Sequence, residues 1–272
     1  MPITADYHIH SHHSGDSSAD MEQIIQSAIQ KGLTHICFTE HNDFDYPALE
    51  KDSPDDFILN ADSYLYELLH LRKKYADQIR IAFGLELGLQ KECVRKNVIF
   101  ARSHEFDFII ASSHVLNGKD PYYKEFWEGR DEKSAFREFF TSIFENIKLM
   151  QNFDVCGHLD YVVRYAPSGT GIYDYTEYLD IFDEIFKYLI ENEKGIECNT
   201  GAYRKGIDMT NPCFGLLKRY RELGGEIITI GSDAHEACDV AAEFNKAETI
   251  LKEAGFKYYS VFENRIAEYK KL

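Results

Sequence analysis

His8 and His10 stand two residues apart in Asp6-Tyr7-His8-Ile9-His10, and Asp233 and His235 repeat that spacing in Gly231-Ser232-Asp233-Ala234-His235. Residues two apart on a strand face the same side, so each pair can grip an ion. Thr39-Glu40-His41, Gly84-Leu85-Glu86, Ser112-Ser113-His114 and Cys156-Gly157-His158 each add one donor, and Asp16 follows in a loop of small polar residues. The pool is six imidazoles (His8, His10, His41, His114, His158, His235) and three carboxylates (Asp16, Glu86, Asp233). That mixture suits divalent zinc, iron or manganese. Glu86 is set apart because a carboxylate can bridge two ions, which an imidazole cannot. Three divalent ions against three carboxylates leave a positive surplus that favours an anionic ligand. Ions that lower the pKa of water and clamp attacking and leaving oxygens suit phosphate ester hydrolysis. Arg164 and Arg204, in nearby loops, carry the paired donors that grip phosphate oxygens.

Each of these residues also has a plainer role. A single His at a strand end is more often a satisfied core or loop residue. His12, His13, His35, His70 and His104 take that reading here, although His13 shares its loop with Asp16. Arg164 and Arg204 can equally be surface ion-pair residues, and Tyr122, Tyr123 and Trp127 the small core of their own loop. The joint pattern, with donors at six separate strand tips, is what points to one polynuclear metal centre.

Strands must hold those tips. Apolar, β-branched runs predict them over 3–10, 33–39, 80–87, 106–114, 155–158, 195–199 and 226–230. Helical spacing predicts helices over 19–31, 61–77, 92–102, 133–152, 175–193, 212–223 and 239–253, with Gly32 as a stop and Pro212 in a first turn. A terminal strand–helix unit is expected from 256 onward. Such alternation implies a parallel sheet with helices outside. The long segments 42–60, 116–131, 160–171 and 200–211 all follow strands, as the active-face loops of a β/α barrel do. A doubly wound open sheet is the alternative, but no G-x-G-x-x-G follows the first strand, which disfavours a dinucleotide fold.

The bulk properties narrow the function. The net charge of −16 argues against nonspecific nucleic-acid binding, which needs a basic footprint. No run of eighteen apolar residues is present, so no membrane span is expected, and the N-terminus lacks the layout of a signal peptide. A cytoplasmic protein is expected, folded as one domain over 1–272. The six cysteines, at 37, 93, 156, 198, 213 and 238, show no C-x-x-C spacing and read as buried, reduced thiols.

These motifs, in this order, resemble those of the PHP (polymerase and histidinol phosphatase) superfamily, and the likeness spans nearly the whole chain. Asp120-Pro121-Tyr122-Tyr123 with Phe126-Trp127-Glu128-Gly129, His158-Leu159-Asp160 with Arg164-Tyr165, and Asn199-Thr200-Gly201 with Arg204-Lys205-Gly206 resemble its histidinol-phosphatase branch. The resemblance implies a distorted (β/α)7 barrel with three divalent metal ions. By position, one ion takes His8, His10, Glu86 and Asp233. A second shares Glu86 and adds His114 and His158. The third uses Asp16, His41 and His235, with Asp16 standing where some branches carry a His. Arg164 and Arg204 are then expected to hold the phosphate, and Tyr122 and Tyr123 to shape the pocket. The implied activity is hydrolysis of a small phosphate monoester, histidinol phosphate, by a hydroxide bridging the metals, with Glu86, Asp233, His235 and both arginines serving catalysis. Another phosphate monoester or a nucleotide is the alternative substrate. The leaving alkoxide needs a proton, from water or a loop acid such as Asp160.

Overall fold

Seven short apolar runs pair side by side in chain order. They are β1 (Ala5–Ile9), β2 (His35–Asn42), β3 (Arg80–Gly88), β4 (Phe108–Ser112), β5 (Val155–Cys156), β6 (Gly195–Asn199) and β7 (Ile228–Gly231). The structure, a computed structural model, describes residues 3–47 and 56–272, so part of the predicted 42–60 loop, Pro54 included, lies outside the described residues. Every neighbouring pair is parallel. The sheet closes where β7 returns to β1: Asp233 N donates to His8 O and His10 N to Ala234 O, both at 2.8 Å. That closure decides for a distorted (β/α)7 barrel and against the open sheet. It places the carboxyl ends of all seven strands around one mouth.

The helices lie in the crossovers: α1 (Met21–Gln30), α2 (Ala61–Lys74), α3 (Val94–Phe100), α4 (Lys124–Trp127), α5 (Glu132–Leu149), α6 (Leu179–Glu191), α7 (Gly201–Arg204), α8 (Phe214–Glu222) and α9 (Phe244–Glu253). Local signals set their ends. Asp20, Asn60 and Asp131 cap α1, α2 and α5 by accepting from backbone N–H groups in the first turn. Gly32, at φ +78°, turns the chain out of α1 in a conformation that side chains resist. The longer helices lay an apolar face on the barrel; in α6 that face is Phe182, Ile185, Phe186 and Leu189. Two short helices, α4 and α7, sit inside segments expected to be loops. Pro212 lies ahead of α8 rather than in its first turn. Among the described residues, no helix is long and apolar enough to cross a membrane. All six cysteines are free, but Cys213 is only partly buried and Cys238 is exposed.

The terminal unit differs from expectation. In place of a strand and helix, β8 (Tyr258–Glu263) and β9 (Ile266–Lys271) form an antiparallel hairpin. Asn264 and Arg265 make its turn at φ 50° and 65°, the left-handed pair that a two-residue hairpin requires. The hairpin packs across the amino ends of the barrel strands. Thr4 N donates to Tyr259 OH, Ile228 N to Ser260 Oγ, and Asn264 N to Asp107 Oδ1. Phe262 packs on Phe108 from β4, with ring centroids 4.9 Å apart. Arg265 secures the turn by donating from Nε to Asp154 Oδ2 at 2.5 Å.

Burial pushes the Asp154 carboxyl up, and Arg265 opposes that shift. Arg265→Ala leaves this carboxylate without its cation, and a loss of about 2–3 kcal/mol follows. Urea unfolding measures it, with turnover expected to hold because the hairpin sits opposite the mouth.

Candidate metal centre

The barrel mouth collects every donor named from the sequence. His8 lies in β1 and His10 just beyond it; His41 lies in β2 and Glu86 in β3. His114 and His158 follow β4 and β5, and Asp233 and His235 follow β7. Asp16 sits at the rim, where its Oδ2 is 3.1 Å from His235 Nε2 and 3.5 Å from His41 Nε2.

Glu86 is the hub. Around its Oε2 stand His41 Nδ1 at 2.9 Å, His8 Nε2 at 3.2 Å and His10 Nε2 at 3.4 Å. Around Oε1 stand His158 Nε2 at 2.9 Å and His114 Nε2 at 3.2 Å. Asp233 Oδ1 lies 3.7 Å from His8 Nε2 and 3.6 Å from His10 Nε2. His8 Nε2, His10 Nε2, His41 Nδ1 and Glu86 Oε2 are all buried, yet none has a hydrogen-bond partner among the described residues. Buried polar atoms without partners are costly, and four converging on one point need a cation to satisfy them. The spacings match the edges of a coordination shell, since bonds of 2.0–2.1 Å give ligand–ligand edges of about 3.3 Å in a tetrahedron. The residues therefore fit divalent ions. His41 and His10 each lie close to more than one set of donors, so the groupings overlap into one continuous cluster.

The carboxylates and imidazoles act strongly on one another: against the cost of burial, His8, His41 and His114 are all pushed up by the carboxylates beside them. Glu86 is held well below the usual carboxylate range: burial pushes it up, but His8, His41 and His114 outweigh that. Burial, with His41 and His235 nearby, pushes the His10 imidazole down to about 3, leaving it neutral with a lone pair to give.

A layer of polar residues behind the donors fixes them. Glu197 Oε1 pairs with His8 Nδ1 at 2.6 Å, and its Oε2 accepts from His158 N at 2.9 Å. Asp43 Oδ1 pairs with His114 Nδ1 at 2.8 Å. Glu40 accepts from Ser11 N and Oγ and from Ser14 Oγ, which ties down the loop leading to Asp16. Carboxylates that engage the second nitrogen of a ligating His set its ring orientation and basicity. Sequence reasoning missed Glu197 and Asp43. Their signals were present: an acidic residue inside the apolar run Gly195-Ile196-Glu197-Cys198-Asn199, and one two residues past His41. Gly231 completes the packing, because a Cβ there would collide with Glu197 Oε1 and His8 Cβ. Asp233 itself holds φ 56°, a left-handed conformation that Asp tolerates better than most residues.

Above the donors opens a cavity of about 550 Å³, lined among others by Asp16, His41, His114, His158, Arg164, Arg204, Tyr122, Tyr123 and Asp233. The Arg164 side chain is 3% exposed, so it is no surface ion-pair residue. It donates from Nε to Asn211 Oδ1 (2.6 Å), from Nη1 to Asp233 Oδ2 (3.2 Å) and from Nη2 to Asn199 Oδ1 (2.7 Å). Arg204 donates to the carbonyls of Ser232 and Asp233. Tyr122 and Tyr123 face the cavity, whereas Phe126 and Trp127 form the buried core of their segment. The expectation for Asp160 is corrected: it is fully buried and does not line the cavity. Its oxygens accept from Asn211 Nδ2 and Cys213 N, so it holds Asn211 in place for Arg164. His35, His70 and His104 also stand away from the cavity.

Glu197→Gln weakens the orientation of His8 without removing any donor to the centre. A loss of metal affinity of about 10–100-fold is expected. Competition with a chelator, read as metal per chain, checks this; retention equal to the wild type would remove Glu197 from the centre.

Comparison with known proteins agrees with this arrangement. Residues 6–201 match the PHP domain family. A histidinol-phosphatase from Lactococcus lactis is 35% identical over 259 residues, covering 94% of this chain and 93% of its own. A Clostridium acetobutylicum protein named as a probable histidinol-phosphatase is 31% identical, covering 97% of this chain and 98% of its own. A crystal structure of the Lactococcus lactis histidinol phosphate phosphatase, complexed with zinc, L-histidinol and phosphate, superposes with a TM-score of 0.89 at 34% identity, covering 97% of this chain and 98% of that one. The chain belongs to the PHP domain family, on the branch that carries the histidinol-phosphatases.

Proposed function

We propose that this protein is a metal-dependent histidinol-phosphatase, hydrolysing L-histidinol phosphate to L-histidinol and phosphate in histidine biosynthesis, and acting in the cytoplasm as one catalytic unit spanning 1–272. The observation that carries this reading is the convergence of nine candidate donor side chains and two arginines on one cavity, six of the donors lining it and His8, His10 and Glu86 buried beneath. The near full-length likeness to a protein crystallised with zinc, L-histidinol and phosphate supports the substrate.

His8, His10, Glu86 and Asp233 would hold one ion, Glu86, His114 and His158 a second, and Asp16, His41 and His235 a third. When bound, divalent ions supply Lewis acidity, lowering the pKa of water and neutralising phosphoryl oxygens. The protein's own residues do the rest. Arg164 and Arg204 flank the Asp233 turn and present guanidinium donors to the phosphate, fixing it for in-line displacement. Their hydrogen bonds to Asn211, Asn199 and the Ser232 and Asp233 carbonyls keep them aimed. Tyr122 and Tyr123 wall the outer cavity, where an imidazole ring can rest against them. Asp56 and Asp120 also line the cavity, carboxyl groups that suit a cationic amine, while Asp239 pairs with Arg204 Nε at 3.3 Å. Asp160, buried behind Asn211, is out of reach of the leaving oxygen.

Steady-state turnover on L-histidinol phosphate beside a panel of other phosphate monoesters and nucleotides tests the assignment. A kcat/KM advantage of at least tenfold, about 1.4 kcal/mol, is expected for histidinol phosphate. A preferred nucleotide or other ester would transfer the assignment to a different phosphoesterase of the same family. Chelation should abolish turnover, and readdition of zinc, manganese or iron should restore it; activity that survives chelation would refute the metal requirement. Arg204→Ala should raise KM by roughly tenfold to a hundredfold, the loss of a charge-assisted hydrogen bond worth about 1.5–3 kcal/mol.

A further inference from the structure

A second cluster of metal-ligating side chains lies outside the cavity. His12 and His13 follow the His8–His10 pair in sequence, yet neither lines the cavity. Their rings turn toward α2, where Glu67 meets both. Glu67 Oε2 is 3.2 Å from His12 Nε2 and 3.0 Å from His13 Nε2. The two rings stand side by side, with centroids 4.4 Å apart.

We infer that His12, His13 and Glu67 form a separate surface site for one divalent ion of the zinc class. The spacing supports it. The donor separations are within 0.1 Å of those around Glu86 Oε1, where His158 and His114 stand at 2.9 and 3.2 Å. They also match the roughly 3.3 Å edge of a tetrahedral shell with bonds of 2.0–2.1 Å. The donor set is two imidazoles and one carboxylate, which suits zinc better than the oxygen-seeking magnesium or calcium. The His12 side chain is 42% exposed and Glu67 33%, so water can reach the remaining position.

The donors are held before any ion arrives. The His12 backbone donates to Ala19 O at 2.9 Å, and His13 packs against Tyr64, with ring centroids 5.6 Å apart. Tyr64 and Glu67 are three residues apart on α2 and share a face. The flanking Ser11 and Ser14 are fixed on Glu40. An ion here would staple the β1–α1 loop to α2. That loop also carries Asp16 at the cavity rim, so the staple would stiffen the rim without touching substrate.

The competing account is that Glu67 simply accepts a hydrogen bond from each imidazole. Zinc binding to the metal-loaded protein separates the two. Equilibrium dialysis against micromolar free zinc, followed by metal analysis, should find one zinc ion more per chain in the wild type than in Glu67→Gln or His12→Ala. Turnover of both variants should stay at the wild-type level, which reports that each is folded with its catalytic metals in place. Added zinc should raise the wild-type thermal midpoint and leave those of the variants unmoved. In the wild type, zinc should also shift the imidazole nitrogen resonances of His12 and His13. Equal zinc content in all three proteins, or imidazole resonances that ignore zinc, would overturn the site and leave a hydrogen-bonded His–Glu–His cluster.

Discussion

A carboxylate with no access to water sits at the axis of this barrel, and the rest of the molecule is arranged around it. Glu86 is fully buried, with five imidazole nitrogens between 2.9 and 3.4 Å from its two oxygens. An isolated buried charge costs several kcal/mol even after relaxation. The protein offsets this with a hydrogen bond from Ser112 Oγ to Oε1 at 2.6 Å and by packing imidazoles so densely that they crowd one another, with the His10 ring stacked on His41 and His235 at 4.2 and 4.3 Å. Such a cluster is a poor way to stabilise a fold and a good way to hold cations. Four of its converging buried atoms make no hydrogen bond among the described residues, an arrangement that suits cations among them.

That crowding demands rigidity, which comes from the layer behind. Glu197 spans from β6 to His8 in β1, across the seam where the barrel closes. Asn199, two residues on, reaches both Glu197 and Asp233 and receives Arg164. Asp160, Asn211 and Arg164 form a relay of hydrogen bonds that ends on the Asp233 carboxylate. Strand β6 thus supplies none of the nine donors, yet its Glu197 and Asn199 hold in place residues from β1, β5 and β7. Positioning at this precision is what a phosphoryl-transfer site needs, because small displacements of reacting groups cost large factors in rate.

The two ends of the barrel divide the work. The carboxyl ends carry the chemistry, long segments and left-handed Asp233. The amino ends are covered by the β8–β9 hairpin, held by Arg265 and by aromatic packing on Phe108. The near closure of the barrel through the Ile9–Ala234 bridge ties its two outer strands together, and the hairpin covers the end that the donors do not use.

The sequence by itself determined a great deal here. Strand positions were legible because β-branched runs bounded by turn residues allow little else, and strict alternation with helices implied a parallel sheet, which the family resemblance narrowed to a distorted barrel. The nine residues that gather at the mouth were legible as a group too, because His and acidic residues at the strand tips, with Asp16 in the loop after the first, break an otherwise apolar pattern. Tertiary structure decided the rest. Glu197 reads in sequence only as an acid inside an apolar strand; its partner His8 lies 189 residues away and is chosen by strand register and barrel closure. Asp160 looked like an available acid because loop residues carry no sign of which side they face. His12 and His13 were set aside as ordinary loop residues, since nothing local announces Glu67 on another element. The terminal hairpin turned on two left-handed residues, Asn264 and Arg265, whose types permit that conformation without demanding it. Periodicity reports which residues are buried, because burial is a property of one chain segment. Which buried groups meet is a property of pairs, and only the closed barrel supplies the pairs.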